Sequence, residues 1–366
     1  MGTLKATYLQ QASSASPNIT LDASTNATVA GTLAMGSSFK RNRIINGDMR
    51  VDQRNAGASG TATGYTVDRW YYNASQSSKG TWQQDAGAVT PPVGFVDYLG
   101  FTSSSAYSVL TGDFFFFFQA IEGLNVADLG WGTANAKTVT LSFWARSSLT
   151  GTFGGSLRNS AANRSYPFAY TINSANTWEY KTVTIAGDTS GTWLTTNGVG
   201  MYVTLAYGAG ATYSGTAGAW AAGNLLSATG ATSVVGTNGA TFYITGVQLE
   251  VGSVATPYER QIYSEQLAQC QRYYQVYGGS DGYLIGGNVN AASDQYSMVI
   301  FPEKMRASPT ATSSGTWTTS NVTTTKPSIN TVSASSACVY GSTSASGNWY
   351  FQANSSDDTL TFSAEL

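Results

Sequence analysis

Histidine is absent from all 366 residues. That single absence removes Ser-His-Asp and Cys-His nucleophile systems, HExxH zinc sites and imidazole acid–base chemistry together. A G-x-S-x-G match at Gly278-Gly279-Ser280-Asp281-Gly282 therefore gives its serine no base. It also falls between a predicted helix and a predicted strand, the reverse of a nucleophile elbow, and reads as a turn. Cysteine is scarce: Cys270 and Cys338 cannot build a disulfide framework, so reduced thiols are expected. Charge is scarce too, with Asp, Glu, Lys and Arg at 10% of the chain against about 25% in ordinary globular proteins. The net charge of −2 offers no field to nucleic acid or an anionic membrane, and no nucleic-acid partner is expected. No apolar run approaches the roughly 18 residues needed to cross a bilayer, and the N-terminus lacks a signal-peptide profile. No membrane insertion is expected, and the chain reads as a soluble product of the cytoplasm. P-loop, complete dinucleotide fingerprint, EF-hand and CxxC motifs are all missing.

What the chain does hold is glycine, hydroxyl residues and aromatics, including 40 Gly, 22 Tyr, 15 Phe and 9 Trp. Such an uncharged polar surface suits β-sandwiches and dense assemblies. Residues 1–40 are poor in aromatics and rich in Ala, Ser and Thr. Ile19 and Leu21, then Val29, Leu33 and Met35, alternate about Asp22–Asn26 and predict two short strands. Alone these could bury almost nothing, so the segment reads as a thin stem or an attachment to another protein, or else as disordered.

From residue 41 to 260 the chain reads as a succession of β segments broken by Gly, Asn and Asp, with no helical period. Strands are predicted at 44–51, 65–73, 80–85, 97–102, 114–122, 137–147, 178–186, 199–207 and 241–251. Val139, Leu141 and Phe143 alternate with polar neighbours, as do Met201, Val203 and Leu205. The fold class expected is all-β: a jelly-roll β-sandwich. The five phenylalanines Phe114 to Phe118 must point both ways in a strand. One face can fill the sandwich; the other needs a loop, the helix or a neighbouring subunit. Phe115 and Phe117 are taken as candidates for a subunit contact.

In the last of these strands Phe242 and Ile244 have one parity and Val247, Leu249 and Val251 the other, which predicts a bulge near Thr245-Gly246. Thr256-Pro257-Tyr258-Glu259 then fits a capping box, with Ser264 as a rival N-cap. A connecting helix is expected over 261–278, ended by Gly278-Gly279. Its stripe of Tyr263, Leu267, Cys270 and Tyr274 either docks on its own domain or packs about a symmetry axis. Residues 279–366 read as a smaller terminal β domain, with strands at 283–285, 295–301, 337–340, 348–352 and 359–363 separated by a Ser/Thr-rich span at 308–336.

Twenty carboxylates remain for chemistry. A pair of them could hydrolyse a glycosidic bond, but no dyad is legible, and Asp357-Asp358 reads as turn chemistry. Aromatics with polar edges suit stacking on sugar rings. Trp70, Trp144 and Trp178 lie inside predicted strands and read as core. Trp317, Tyr340, Trp349 and Tyr350, in the terminal block, are the candidates for glycan contact.

Asn42–Met49, Tyr65–Trp70, Gln119–Gly123, Thr140–Ala145, Thr245–Gly252, Ala255–Glu259 and Cys270–Tyr274, in that order, resemble tail fibre proteins of tailed bacteriophages. Phe301-Pro302 and Met305–Thr310 resemble the start of their C-terminal block. The resemblance implies a homotrimeric virion appendage with a jelly roll similar to carbohydrate-binding modules. Residues 1–40 would attach to other tail or baseplate proteins, and the distal part would adsorb to a host surface polysaccharide or lipopolysaccharide. It implies location in the virion tail after assembly in the host cytoplasm and carries over no catalytic residue. No metal or cofactor is expected, with calcium kept open because carbohydrate-binding jelly rolls often hold one. A depolymerase tailspike and a purely structural baseplate or connector component are the competing readings.

Overall fold

The structure, a computed structural model, describes Tyr8–Leu9, Ile19–Leu21, Ala27–Val29 and residues 40–366 apart from Tyr283. It divides into two units, Met1–Arg41 and Asn42–Leu366. In the first, Ile19–Leu21 pairs antiparallel with Ala27–Val29, Ile19 opposite Val29, which is the pairing expected about the Asp22–Asn26 turn. Tyr8–Leu9 adds a third strand on the other side of Ile19–Leu21. Leu33 and Met35 lie outside the described residues.

The second unit holds a jelly-roll sandwich of two antiparallel sheets. One has seven strands in the order Ala221–Ala222, Arg164–Ile172, Gly151–Arg158, Val199–Ala209, Phe114–Glu122, Tyr71–Ala74, Gly64–Tyr65. The other has five: Glu179–Ile185, Val139–Ser147, Thr241–Val251, Leu99–Ser103, Gly80–Gln84. Period-2 alternation puts Phe115, Phe117, Met201, Val203, Leu205, Phe153 and Leu157 of the first sheet against Leu141, Phe143, Phe101, Phe242 and Leu249 of the second, all fully buried.

The bulge in Thr241–Val251 lies where the parity switch predicts it. Gly246 and Val247 together oppose one residue of Val139–Ser147, so Ile244 and Val247 both reach the core. Gly246 has φ 62, and a Cβ there would come within 2.6 Å of the Phe95 ring, so conformation and space both require glycine.

Several expectations are corrected. The predicted strand at 44–51 is a buried irregular segment, because Asn46 and Met49 are left-handed at φ 56 and 61. Its polar groups are tied down instead by the Asn46 side chain, which donates to Val51 O and Asp68 O and accepts from Val51 N. The strand predicted at 65–73 is split by a turn in which Arg69 has φ 71. Thr256–Glu259 is not a helix cap. Thr256 donates its N–H and hydroxyl to Glu250, and Glu259 N donates to Gln248 Oε1 at 2.7 Å, which straps the segment to the bulged strand. The helix spans only Tyr263–Gln271, with Ile262 rather than Ser264 at its N-cap, and buries Gln266 and Cys270. Tyr274 already belongs to the strand Tyr274–Gly278. The hairpin Gly151–Arg158 with Arg164–Ile172 was not predicted at all; its glycines and Pro167 mask the β pattern.

The terminal block is built from three antiparallel three-stranded sheets, centred on Thr359–Ser363, Gly347–Gln352 and Ser336–Ser342. They enclose a separate core of Phe301, Met305, Trp317, Val339, Trp349, Phe351, Leu360 and Phe362. The Ser/Thr-rich span supplies one outer strand to each sheet: Thr310–Ser313, Thr318–Ser320 and Ser328–Val332. Gly279–Asp281 is a short turn between strands.

Candidate functional site

The outward face of the seven-stranded sheet carries a row of aromatic side chains beside a groove. Phe114, Phe116 and Phe118 are the residues of the phenylalanine run that point away from the core, with ring centroids 5.6 and 5.7 Å apart along the strand. On the neighbouring strand Tyr202 has the same parity, between buried Met201 and Val203, and meets Phe118 edge-on at 5.6 Å. One strand further, Arg158 lies opposite Tyr202. Tyr213 packs edge-on against Phe114 at 5.1 Å, and Leu226 packs against the same aromatic row, closing one end. What stays open is a groove of about 220 Å³, edged by Asn73, Ser160 and Asn224. No carboxylate lines it.

Arg158 is the groove's only charged side chain, and it is 93% buried. Its guanidinium carbon lies 5.1 Å from the Tyr202 centroid and 6.0 Å from that of Phe116. Nη1 donates to Asn224 Oδ1, while Nε has no partner. Burial lowers its pKa to about 10, and of nearby charges only Tyr202 works the other way. This groove can hold a flat, hydroxyl-bearing ligand against aromatic faces and present it with a cation.

The residues singled out from sequence fall elsewhere. Trp317 and Trp349 are each 3% exposed and belong to the terminal core; Trp317 donates its indole N–H to Ser314 O at 2.8 Å. Tyr340 and Tyr350 are half-buried on two different sheets, Tyr340 leaning on Tyr296 at 5.4 Å. The four do not converge. Phe115 and Phe117 are fully buried inside the sandwich and have no surface for another chain, so that expectation is corrected: the odd-numbered rings are the inner ones. Cys270 is buried, Leu267 half-buried, Tyr263 exposed with Arg50 over its ring at 5.3 Å, and Tyr274 lies beneath Arg54 at 3.7 Å. Of the stripe, Cys270 is thus turned into its own chain, while Tyr263 stays at the surface. A further cluster of Trp131, Trp193 and Trp220, 4.7 to 5.3 Å apart, has every indole N–H donated to a protein oxygen and serves packing.

Sequence reading missed the groove. Its available signals were the even positions of the phenylalanine run and the parity of Tyr202; Arg158 sits on a strand that was not predicted.

Asp85 and Asp97 hydrogen-bond to each other, and burial, then Asp85, raises Asp97 to about 6. Two groups in direct contact leave no room for a sugar, since glycosidases keep theirs about 5 to 9.5 Å apart. Asp358 accepts N–H bonds from Thr316, Asn354 and Ser355, the turn chemistry expected of it. Among the described residues no group of three or more Asp, Glu or Cys side chains is placed to hold a metal.

The segments that carry the tail-fibre resemblance meet in one place. Asn42 donates to Val247 O and to Glu259, Gln119 exchanges bonds with the Ile45 backbone, Trp70 donates to Asn46 O, and Gln266 reaches Asp48. They are architecture rather than a binding surface.

No family model matches the chain, and no curated protein matches it. Solved structures similar to it include the enzymatically active domain of bacteriophage CBA120 tailspike protein 4, at 13% identity and TM-score 0.33, over 58% of this chain and 22% of that one. A sugar-binding protein assigned from Bacteroides thetaiotaomicron matches at 12% and 0.34, over 58% of this chain and all of its own. The family 11 carbohydrate-binding module of Clostridium thermocellum, in complex with a mixed-linked tetrasaccharide, matches at 11% and 0.26, over 55% and 100%.

Proposed function

We propose that this chain is a non-catalytic tail fibre that attaches a phage to its host by holding a surface polysaccharide or lipopolysaccharide in the groove on the seven-stranded sheet. The observation that carries the glycan reading is the groove in which half-buried Phe114, Phe118 and Tyr202, packed about buried Phe116, stand beside polar Asn73, Ser160 and Asn224. Aromatic faces stack on the apolar faces of sugars while amides and hydroxyls take their edges. The groove contains no carboxylate to act as a general acid, which favours binding over hydrolysis. The virion part rests on the ordered motif series from Asn42 to Tyr274. Self-association as a trimer turns weak single sites into firm attachment, since linked sites gain roughly 10² to 10⁴ in avidity.

The test is affinity electrophoresis of the full chain through gels containing purified bacterial capsular polysaccharides or lipopolysaccharides. Retardation by at least one glycan, lost in Tyr202→Ala and without shortening of the glycan, is expected. No retardation by any of them removes the glycan reading and favours a structural role in the particle; oligosaccharide release turns the assignment to a depolymerase.

A further inference from the structure

Arg158 is an unusual residue for the wall of a sugar groove, because a neutral glycan asks for amides and hydroxyls, not a buried cation. Removing a charge from water is costly unless an opposite charge or several hydrogen bonds replace the water. Arg158 has neither in full. Its strand neighbours on the same face are Ser156 and Gly154, and its cross-strand neighbour is Tyr202. The only side-chain acceptor that it meets is the neutral amide of Asn224, and Nε, buried, donates to nothing. The Tyr202 and Phe116 rings offset part of the cost through their π faces. No acidic side chain reaches the groove. The pocket is thus short of one negative charge, at a place where aromatic rings already form a platform.

Building on the glycan reading, we propose that the groove selects an acidic sugar, a hexuronate residue of a surface polysaccharide, whose carboxylate is taken by Arg158 while the ring rests on Tyr202 and Phe118. A planar guanidinium fits a carboxylate through charge-assisted hydrogen bonds, and the low local dielectric strengthens them. Asn224, on the opposite side of the guanidinium's hydrogen bond, keeps the fork oriented. Asn73 and Ser160 are left to meet sugar hydroxyls. The same side chain rejects neutral sugars at that position, because their binding would seal the cation from water without a partner.

The experiment compares polyuronates, namely polygalacturonate and alginate, with the same polymers after chemical reduction of their carboxyls to alcohols, and with neutral dextran and β-glucan, by titration of the full chain. Binding of at least one polyuronate, weaker by about ten- to a hundredfold after carboxyl reduction and weaker at high salt, is expected. Arg158→Gln is expected to lose that preference and bind acidic and reduced polymer alike. If reduced or neutral polymers bind as tightly as the acidic ones, the acidic-sugar assignment is overturned while the glycan groove stands. If no polymer, acidic, reduced or neutral, binds, both fall. The comparison of intact with reduced polymer uses the unaltered protein, so the outcome does not depend on Arg158→Gln folding.

Discussion

Arg54 and Glu365 lie 311 residues apart in the chain and form an ion pair of 2.8 Å. The contact ties the terminal domain to the start of the sandwich. The same carboxylate pairs with Arg69, whose side chain is 1% exposed and whose guanidinium stacks 3.6 Å over the Tyr273 ring. Arg306 adds bonds to Ala364 O and to Asn197 O, the latter on the sandwich. Glu365→Ala removes the anion and leaves Arg69 buried without it. A loss of about 3 to 5 kcal/mol is expected from denaturant unfolding. Glu365→Gln should recover part of this, because it keeps the acceptor oxygen. An unchanged unfolding midpoint in Glu365→Ala would show that the pair does not join the domains.

Stability should fall, not rise, between pH 4 and 6. Burial raises the Asp68 carboxyl from 3.8 to about 6, against the pull of Arg54 and Gln53, and Asp97 is raised alike. A group whose folded pKa is the higher contributes its stability below the unfolded value and loses it as pH climbs through the folded one. For fully buried Asp68 the effect is about 3 kcal/mol. Further down, burial works against ionised Asp113, but hydrogen bonds from Tyr107, Leu110 N, Gln76 and Ser75 outweigh it and hold the group at about 2, so stability is lost again as pH drops from 4 towards 2. Unfolding curves across pH 2 to 7 should therefore peak near 4, and Asp68→Asn should flatten the upper limb. A midpoint that climbs steadily from pH 4 to 7 contradicts the buried-carboxyl account.

Phe117 and Phe118 separate what was legible from what was not. The sequence states that a run of five phenylalanines must have two faces, and which face is inner depends on pairing: Phe117 lies opposite Leu205 and Phe118 opposite Thr204. Phe117→Ala should cost about 3 to 5 kcal/mol of stability, whereas Phe118→Ala should leave the unfolding midpoint nearly unchanged and weaken glycan retention. The sandwich, its bulge at Gly246 and the second core were readable because alternation and glycine report local geometry. Arg158 and Asn224 were not, because a site formed across strands depends on register between segments far apart, and glycine-rich Gly151–Arg158 hides its own period.

The tryptophans Trp317 and Trp349 pull the expectation the other way. Aromatics near Ser- and Gly-rich loops suggest ligand contact, but a small domain with nine short strands needs large side chains to close its core. Trp317→Ala or Trp349→Ala should destabilise the terminal domain by about 3 to 5 kcal/mol, seen as an earlier or separate unfolding step. Glycan retention by the sandwich should persist. Loss of retention without loss of stability would return the binding site to the terminal domain.

An exposed apolar face lies on the strand Asp294–Ile300, where Tyr296, Met298 and Ile300 point the same way and are 55%, 62% and 74% exposed. Val299, of opposite parity, is buried in the terminal core. The outward face continues across the register to Tyr340 and Cys338, opposite Tyr296 and Met298. An apolar face of this kind on a chain so poor in charge asks for cover, and another copy of the same strand supplies matching chemistry. Light scattering should therefore give a mass above that of one chain, and Met298→Asp with Ile300→Asp should lower it to the monomer while leaving the sandwich folded. The measurement is made with and without residues 1–40, the segment that the sequence reads as a stem or an attachment. A monomer in both forms removes the trimeric arrangement; an oligomer that survives the two aspartates places the contact elsewhere.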